Sequence, residues 1–498
     1  MRFIGLRLDE HDSSVSYFDG ERVLYYKSER DIQEKHHGYD SLTEWYEAWQ
    51  RYGHRPTDVS GIAIVLDFER GEYPHLQCDC TKLWEEIDIP EISELGFKCP
   101  IFRVDHHYAH ALSVWTEAKD IDTSFVVDGF GNDFTSHSIM RGDEVLRKYR
   151  MEDLNYWSIG EILAQLGAYM ELKSHVLDNA GKVMALKGLG SSTDHKVYHD
   201  LSNLVDLWDF LTIEDIVGDA DKQELYDHIH RCHTITENIY LDWFKENSKE
   251  TDVISYSGGV AQNTILNTRI REIRPNLVIP AHVDDSGLSL GALEFLRKIN
   301  HKELFPTTGY PFWQQDVAPE RPSTAMIKMT ADRLARGEIV GWYQGHGEVG
   351  PRALGNRSIL MNPTIYNGKE ILNSKVKHRE WFRPFGASIL EHETSNYFDW
   401  QGTSPYMLYV MNVLDPKSFP AITHVDGTCR PQTVGPDHEV YYELLREFEW
   451  LTGIPMLLNT SLNDNGRPIA GRPEDAINLF NNSEMDALVV GNQLMGSR

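Results

Sequence analysis

The sequence predicts an α/β protein of two domains, the first of them duplicated. Three observations lead there. A chain of 498 residues is too long for one hydrophobic core. A strand–turn–strand meander occurs twice, at Phe3–Leu8, Val15–Phe18 and Arg22–Lys27, then at Val126–Gly129, Ser136–Met140 and Val145–Tyr149. Each meander has a polar or Asp/Gly-bearing first corner, a pattern that suggests two α/β halves with nucleotide between them. Finally, Leu304–Ser323 is rich in Pro and aromatics without periodicity and reads as a linker. The expected division is a first domain at 1–305, a linker at 306–322 and a second α/β domain at 323–498.

Composition bounds the rest. The chain is 41% hydrophobic and 25% charged, ordinary for a globular protein. A net charge of -28 argues against a broad nucleic-acid-binding surface and leaves room only for a local basic groove. The five cysteines, Cys78, Cys80, Cys99, Cys232 and Cys429, are unpatterned and point to a reducing compartment. The N-terminus enters a strand at once, without a signal peptide, and no apolar run is long enough to span a membrane. A cytoplasmic location is expected, or host cytoplasm for a viral source.

In chain order, His11-Asp12-Ser13-Ser14 forms the first polar corner, and such a loop can aim backbone N–H groups at phosphates. Glu29-Arg30 and Lys35-His36-His37-Gly38 follow, then a predicted helix at Ser41–Tyr52 and a strand at Val59–Leu66. Phe68–Glu94 reads as irregular. Pro100–Val104 is a buried strand that runs into Asp105-His106-His107-Tyr108-Ala109-His110, the start of a helix reaching Glu117. His106 and His110 lie one turn apart on one face, where two imidazoles can reach one metal ion. Alone, such a pair is commoner in structural hydrogen-bond networks. Two carboxylate-bearing stretches shift the balance: Asp128-Gly129 at a strand end, and Asp284-Asp285-Ser286-Gly287 before an apolar helix. Two imidazoles with two carboxylates suit a first-row ion, Fe(II) first and Mn or Zn as alternatives, and not an all-oxygen calcium site.

Ile159–Leu172 reads as helix, Gly181–Gly190 as a lysine-bearing glycine loop, and Lys196–Ser248 as mostly helical. The strand Val253–Ser257 runs into Gly258-Gly259-Val260-Ala261-Gln262-Asn263, where paired glycines at a helix start allow close backbone approach to a nucleotide. Past the linker, a helix (Thr324–Arg336) and a strand (Ile339–Tyr343) precede Gly345–Leu360, whose glycines and two arginines suit phosphate oxygens. Lys375, Lys377, Arg379, Arg383 and Arg430 add cations, and Asn459–Asn463 adds small hydroxyl and amide groups.

In order, the chain carries D-H-H-x-x-H-A, V-D-G, G-G-V-A-x-N, D-x-G-x-x-x-G-A, G-x-R-A-L-G-N-R-S-I-L, R-P-F, H-x-D-G-T-x-R and N-T-S-x-N. Together they resemble the NodU/CmcH-type O-carbamoyltransferase family over essentially the whole chain. The resemblance implies an actin/hexokinase-like first domain, related to tRNA threonylcarbamoyl-transfer proteins, and a YrdC-like second domain. It implies that the second domain makes carbamoyl-adenylate from ATP and carbamoyl phosphate, and that the first passes the carbamoyl group to an acceptor hydroxyl at a metal ion. By position, His106, His110, Asp128 and Asp285 match the metal ligands, Asp285 being preferred to Asp284 because it begins D-x-G. His11 matches the histidine expected to activate the acceptor. Gly129, Gly258, Gly259 and Asn263 match nucleotide-contacting positions, and Met407 an apolar nucleotide contact. Arg352, Lys377, Arg383, Arg430 and Ser461 match groups that handle carbamoyl phosphate and ATP. One departure is the stretch Glu29–His36, which lacks the middle arginine of E-R-x-x-R-x-K-H.

The acceptor expected is a hydroxymethylpyrimidine in DNA, with a natural product or an oligosaccharide as alternatives. A DNA acceptor demands a local cationic lip, and Arg30, Lys35, Lys182 and Lys187 are the cations expected there. A tRNA threonylcarbamoyl-transfer enzyme and a non-catalytic ATP-binding sensor are the competing functions. No membrane partner is expected, and a homodimer is compatible with the chain.

Overall fold

The alternation in the first 27 residues becomes a meander of β1 (Phe3–Arg7), β2 (Ser14–Phe18) and β3 (Val23–Lys27), with β1 paired antiparallel to β2 in the register Phe3↔Phe18. The computed structural model describes the chain except residues 52, 67–78, 80, 155–157, 173–174, 192–200, 202–207, 209–221, 316–317 and 497–498. Cys78 and Cys80 lie outside the described residues. β4 (Gly61–Val65) pairs parallel to β1, and β5 (Trp84–Ile87) and β6 (Ile101–Val104) complete a sheet of order β3-β2-β1-β4-β6-β5.

The second sheet repeats this plan. β7 (Thr123–Val127), β8 (Thr135–Arg141) and β9 (Glu144–Arg150) form an antiparallel meander, and β10 (Ile254–Ser257) and β11 (Leu277–Val278) add to β7 in parallel, giving β11-β10-β7-β8-β9. Read from the outer strand of each meander, the sheets run β3-β2-β1-β4-β6 and β9-β8-β7-β10-β11, which is the duplicated α/β organisation expected of an actin/hexokinase-like domain. Strands buried on both faces in a mixed sheet demand helices on each side. The helix Leu288–Ile299 packs on β1 and β4 and crosses the helix His106–Ser113 at backbone distance. Gly291 makes that crossing possible, because a Cβ there would stand 1.9 Å from the Ala109 carbonyl oxygen.

The second domain is one mixed seven-stranded sheet. Its strands are β12 (Val340–Tyr343), β13 (Arg357–Met361) and β14 (Gly386–Leu390), then, past a short pair β15 (Met411–Asn412) and β16 (Thr428–Cys429), β17 (Pro431–Val434), β18 (Met456–Ser461), β19 (Ala487–Val490) and β20 (Gln493–Gly496). The order is β17-β14-β18-β13-β12-β19-β20. The helices Thr324–Ala335 and Glu439–Thr452 pack together and share a core with Trp342, Leu360 and Val489.

Three expectations change. The glycine loop expected at Gly181–Gly190 is mostly helix, Val176–Leu186, followed by a 3₁₀ turn, Lys187–Leu189. Asn179, Val183 and Leu186 bury one face against the helix Ile159–Tyr169, and that tertiary contact outweighs glycine's poor helix propensity. Within Phe68–Glu94, the described residues include β5 and a helix, Pro90–Glu94, so this stretch is less irregular than expected. The aromatic linker is fastened to the first domain: Trp313 stacks on Trp115, Phe305 is buried, and Gln314 bridges to Tyr25 and Gly347.

Candidate metal centre and anion pocket

Asp105 explains why a helix begins where the histidines are. Its carboxylate accepts the Tyr108 N–H at 2.9 Å and caps the first turn of His106–Ser113. The cap fixes His106 and His110 one turn apart, both buried, with ring centroids 5.0 Å apart. Asp128 enters from the end of β7 and Asp285 from the turn before Leu288–Ile299. His110 Nε2 lies 2.9 Å from Asp128 Oδ2 and 3.4 Å from Asp285 Oδ1, and His106 Nε2 lies 3.4 and 3.6 Å from the same atoms. One ligand atom from each of the four residues falls within 4.8 Å of every other. Two aimed imidazole nitrogens and two carboxylates, gathered from three separate segments, fit a divalent first-row ion.

The electrostatics match such a site. Burial opposes charge on His110, but hydrogen bonds to Asp128 and Asp285 outweigh it and raise its pKa. Burial likewise resists ionisation of Asp285, yet His106 and Arg7 hold its carboxyl well below the ordinary value. Arg7, fully buried at the end of β1, donates to Asp285 Oδ2 at 3.0 Å and pairs with Asp9 at 2.6 Å, so it aims the carboxylate from behind. Asp284 faces elsewhere, 3.7 Å from Lys27 Nζ. A second group, Asp12, Glu29 and His36, also converges, but Lys27 Nζ already stands 3.3 Å from both Asp12 and Glu29. His11 Nδ1 is 3.3 Å from Asp12 Oδ2, and that hydrogen bond, with the charge of Asp285, overcomes burial and raises its pKa.

Gly258 and Gly259 close this side of the site between β10 and a 3₁₀ turn. Gly258 has φ +96°, and a Cβ there would meet the Val127 carbonyl oxygen at 2.3 Å, one residue before Asp128. Gly258→Ala should therefore destabilise the chain by about 1–3 kcal/mol, read as a lower urea midpoint with an unchanged slope. A wild-type midpoint would contradict the backbone constraint. Gly129 donates its N–H to Asp128 Oδ1 at 2.7 Å. Asn263 caps the helix Thr264–Ile273, accepting the Leu266 N–H at 3.1 Å, so its side chain serves the backbone, while its neighbour Gln262 faces the cavity beyond.

That cavity, about 270 Å³, runs from Lys27 and Asp284 in the first domain to Arg352, Arg379, Arg383 and Arg430 in the second. The guanidiniums crowd one another. Burial, then repulsion from Arg430 and Arg383, holds Arg352 well below the ordinary value, and burial pushes Arg430 down to about 10. The Nε atoms of Arg352, Arg379 and Arg430 have no hydrogen-bond partner among the described residues. Part-buried cations that repel each other and keep unmatched donors are arranged for an anion.

The family model for the carbamoyltransferase C-terminus matches residues 331–496, the part that carries these arginines. The nodulation protein NolO of Bradyrhizobium diazoefficiens is 30% identical over 440 residues, covering 79% of this chain and 79% of that protein. The chain belongs to the carbamoyltransferase family. The nodulation protein NolNO of Sinorhizobium fredii is 29% identical over 442 residues, 79% of this chain and 64% of that protein. The 3'-hydroxymethylcephem-O-carbamoyltransferase of Streptomyces clavuligerus is 30% identical over 342 residues, 63% of this chain and 64% of its own length. The chain thus spans just under two thirds of these last two relatives.

The other expected site residues fall in two groups. Met407, Arg430 and Ser461 line the cavity with Arg352 and Arg383. Lys377 also reaches it, but its ammonium is committed to Ser461 O at 2.8 Å and to Asn463 O and Oδ1 at 2.6 Å each, so it braces the N-T-S-x-N turn. Glu348 escaped the sequence reading. Its buried Oε1 accepts the N–H groups of Leu354, Asn356 and Arg357 and folds the G-x-R-A-L-G-N-R loop around itself. Arg7 and Lys27 escaped it too, although a lone charge within a buried strand was a usable signal for each.

The cations expected at an acceptor lip do not form one. Arg30 is buried and donates to the Gly350 carbonyl, Lys35 pairs with Asp178, Lys182 with Glu380 and Lys187 with Glu237. Each is neutralised locally, because an acidic chain surrounds its few buried cations with carboxylates. No helix of the described residues is long and apolar enough to cross a membrane.

Proposed function

We propose that this chain is an ATP- and carbamoyl-phosphate-dependent O-carbamoyltransferase that works through carbamoyl-adenylate. The observation that carries the reading is one cavity lined both by the arginine cluster and by Asp284, the neighbour of Asp285. In the second domain, water first cleaves carbamoyl phosphate to carbamate and phosphate; Arg352, Arg383 and Arg430 then offset phosphate charge while a carbamate oxygen joins the α-phosphorus of ATP and pyrophosphate leaves. Met407 packs beside the nucleotide, and the Lys377-braced Ser461 turn shapes the pocket floor. A divalent ion held by His106, His110, Asp128 and Asp285 would supply Lewis-acid polarisation. His11, held by Asp12, takes the proton as the acceptor oxygen bonds to the carbamoyl carbon and AMP departs.

For the acceptor, the relative named for 3'-hydroxymethylcephem supports a hydroxymethyl or hydroxyl group on a small molecule. A hydroxymethylpyrimidine in DNA loses support, since its expected lip cations are paired within the protein. Pyrophosphate release tests the first half of the reaction. It should require ATP and carbamoyl phosphate together. Equal release with ATP alone would instead favour a nucleotide-binding protein of another class.

A further inference from the structure

Glu117 lies where the two domains meet, just past the helix that carries His106 and His110. Tyr406, from the second domain, donates its hydroxyl to Glu117 Oε2 at 3.0 Å. The next residue, Met407, lines the cavity with a left-handed backbone, φ +55°, that a non-glycine residue holds only when its surroundings impose it. Tyr310, from the connecting segment, also faces Glu117 and packs edge-on against Tyr406 with ring centroids 5.9 Å apart. Three segments thus converge on one carboxyl group.

The hydrogen bonds indicate which form of that group fits. His282 Nε2 lies 3.2 Å from the Ser113 carbonyl oxygen and must donate to it, so a neutral His282 accepts at Nδ1. Tyr310 spends its hydroxyl proton on that Nδ1 at 3.0 Å, while its oxygen accepts the Ala281 N–H at 2.9 Å. Tyr310 therefore has no proton left for Glu117, whose buried Oε1 has no hydrogen-bond partner among the described residues, and a buried carboxyl oxygen without a donor favours the neutral acid. Glu117 also closes the C-terminal end of the turn Val114–Thr116, where the helix dipole disfavours negative charge. Among the described residues no ion pair involves Glu117. The titratable groups around it are Tyr406 and Tyr409 from the segment that carries Met407, Tyr310 from the connecting segment and His282 behind it, while Arg271 stacks on Tyr409 at 5.3 Å.

We propose that Glu117 is a positioning residue whose protonated form latches the Tyr406–Met407 wall of the anion pocket onto the helix carrying His106 and His110. Burial outweighs the Tyr406 hydrogen bond and pushes the Glu117 pKa from 4.5 up to about 7. A raised carboxyl pKa makes the closed latch fully stable below pH 4.5 and progressively weaker up to pH 7. Between pH 5.5 and 7.5 its opening equilibrium should rise by about twentyfold.

Hydrogen exchange of segment 404–410 in the full chain, corrected for the intrinsic pH effect, reads this directly. Wild type should show the rise, Glu117→Gln should stay near the wild-type pH 5.5 value at both pH values, and Glu117→Ala should exchange fast at both. A rise in Glu117→Gln as large as in wild type, or unchanged exchange in Glu117→Ala, overturns the latch. The functional half rests on Met407 touching nucleotide. There, ATP affinity should follow the same pH course in wild type and be flat in Glu117→Gln. Absence of ATP binding in a wild-type chain that shows the exchange pattern would defeat the nucleotide reading and leave the latch standing.

Discussion

His110→Ala should lose bound divalent metal and carbamoyl transfer together while the chain stays folded. His110 Nε2 is the closest approach among the four converging groups, 2.9 Å from Asp128. Loss of an outer partner of a metal site costs roughly 10–100-fold in affinity, and loss of a direct ligand should exceed that. Some stability should go with it, because the buried imidazole hydrogen-bonds Asp128 and Asp285, whose carboxylates otherwise repel each other. Metal content by elemental analysis and transfer activity would be measured on one preparation. Full occupancy with full activity would remove the metal centre from the account.

Arg383→Ala and His11→Ala should fail in opposite halves of the reaction. Arg383 lies in the second-domain cluster, held loosely by Glu380 at 3.5 Å, and its loss should slow carbamoyl-adenylate formation by about 10²–10³-fold. The same variant should still transfer the group from supplied carbamoyl-adenylate. His11→Ala should form the adenylate at the wild-type rate but lose about 10²–10⁴-fold in transfer. If both variants lose the same half-reaction, the division between the domains is wrong.

What was readable in the chain follows from the range of the interactions. The two meanders were legible because strand alternation and Asp/Gly corners are local, and their parallel additions, β4 and β10, followed from apolar runs. The converging quartet of His106, His110, Asp128 and Asp285 was partly legible. The i, i+4 spacing put His106 and His110 on one face, but the choice of Asp285 over Asp284 needed the resemblance. The helix Val176–Leu186 was missed because Gly181 and Lys182 mask its apolar face, which is filled only by the helix before it. Lys377 was matched to a substrate role from its type and place, whereas its bonds to Ser461 and Asn463 join residues more than 80 positions apart. Glu117 left no trace either: its partners Tyr310 and Tyr406 meet it only after both domains fold.

The central claim is that one cavity links carbamoyl activation to transfer. Mass spectrometry of hydroxylated acceptors, incubated with the metal-loaded chain, ATP and carbamoyl phosphate, tests it most directly. The account predicts a carbamoyl group added to the acceptor oxygen, absent when either co-substrate is withheld and absent with Arg383→Ala. A carbamoylated acceptor formed without ATP, or formed equally well by Arg383→Ala, would contradict it.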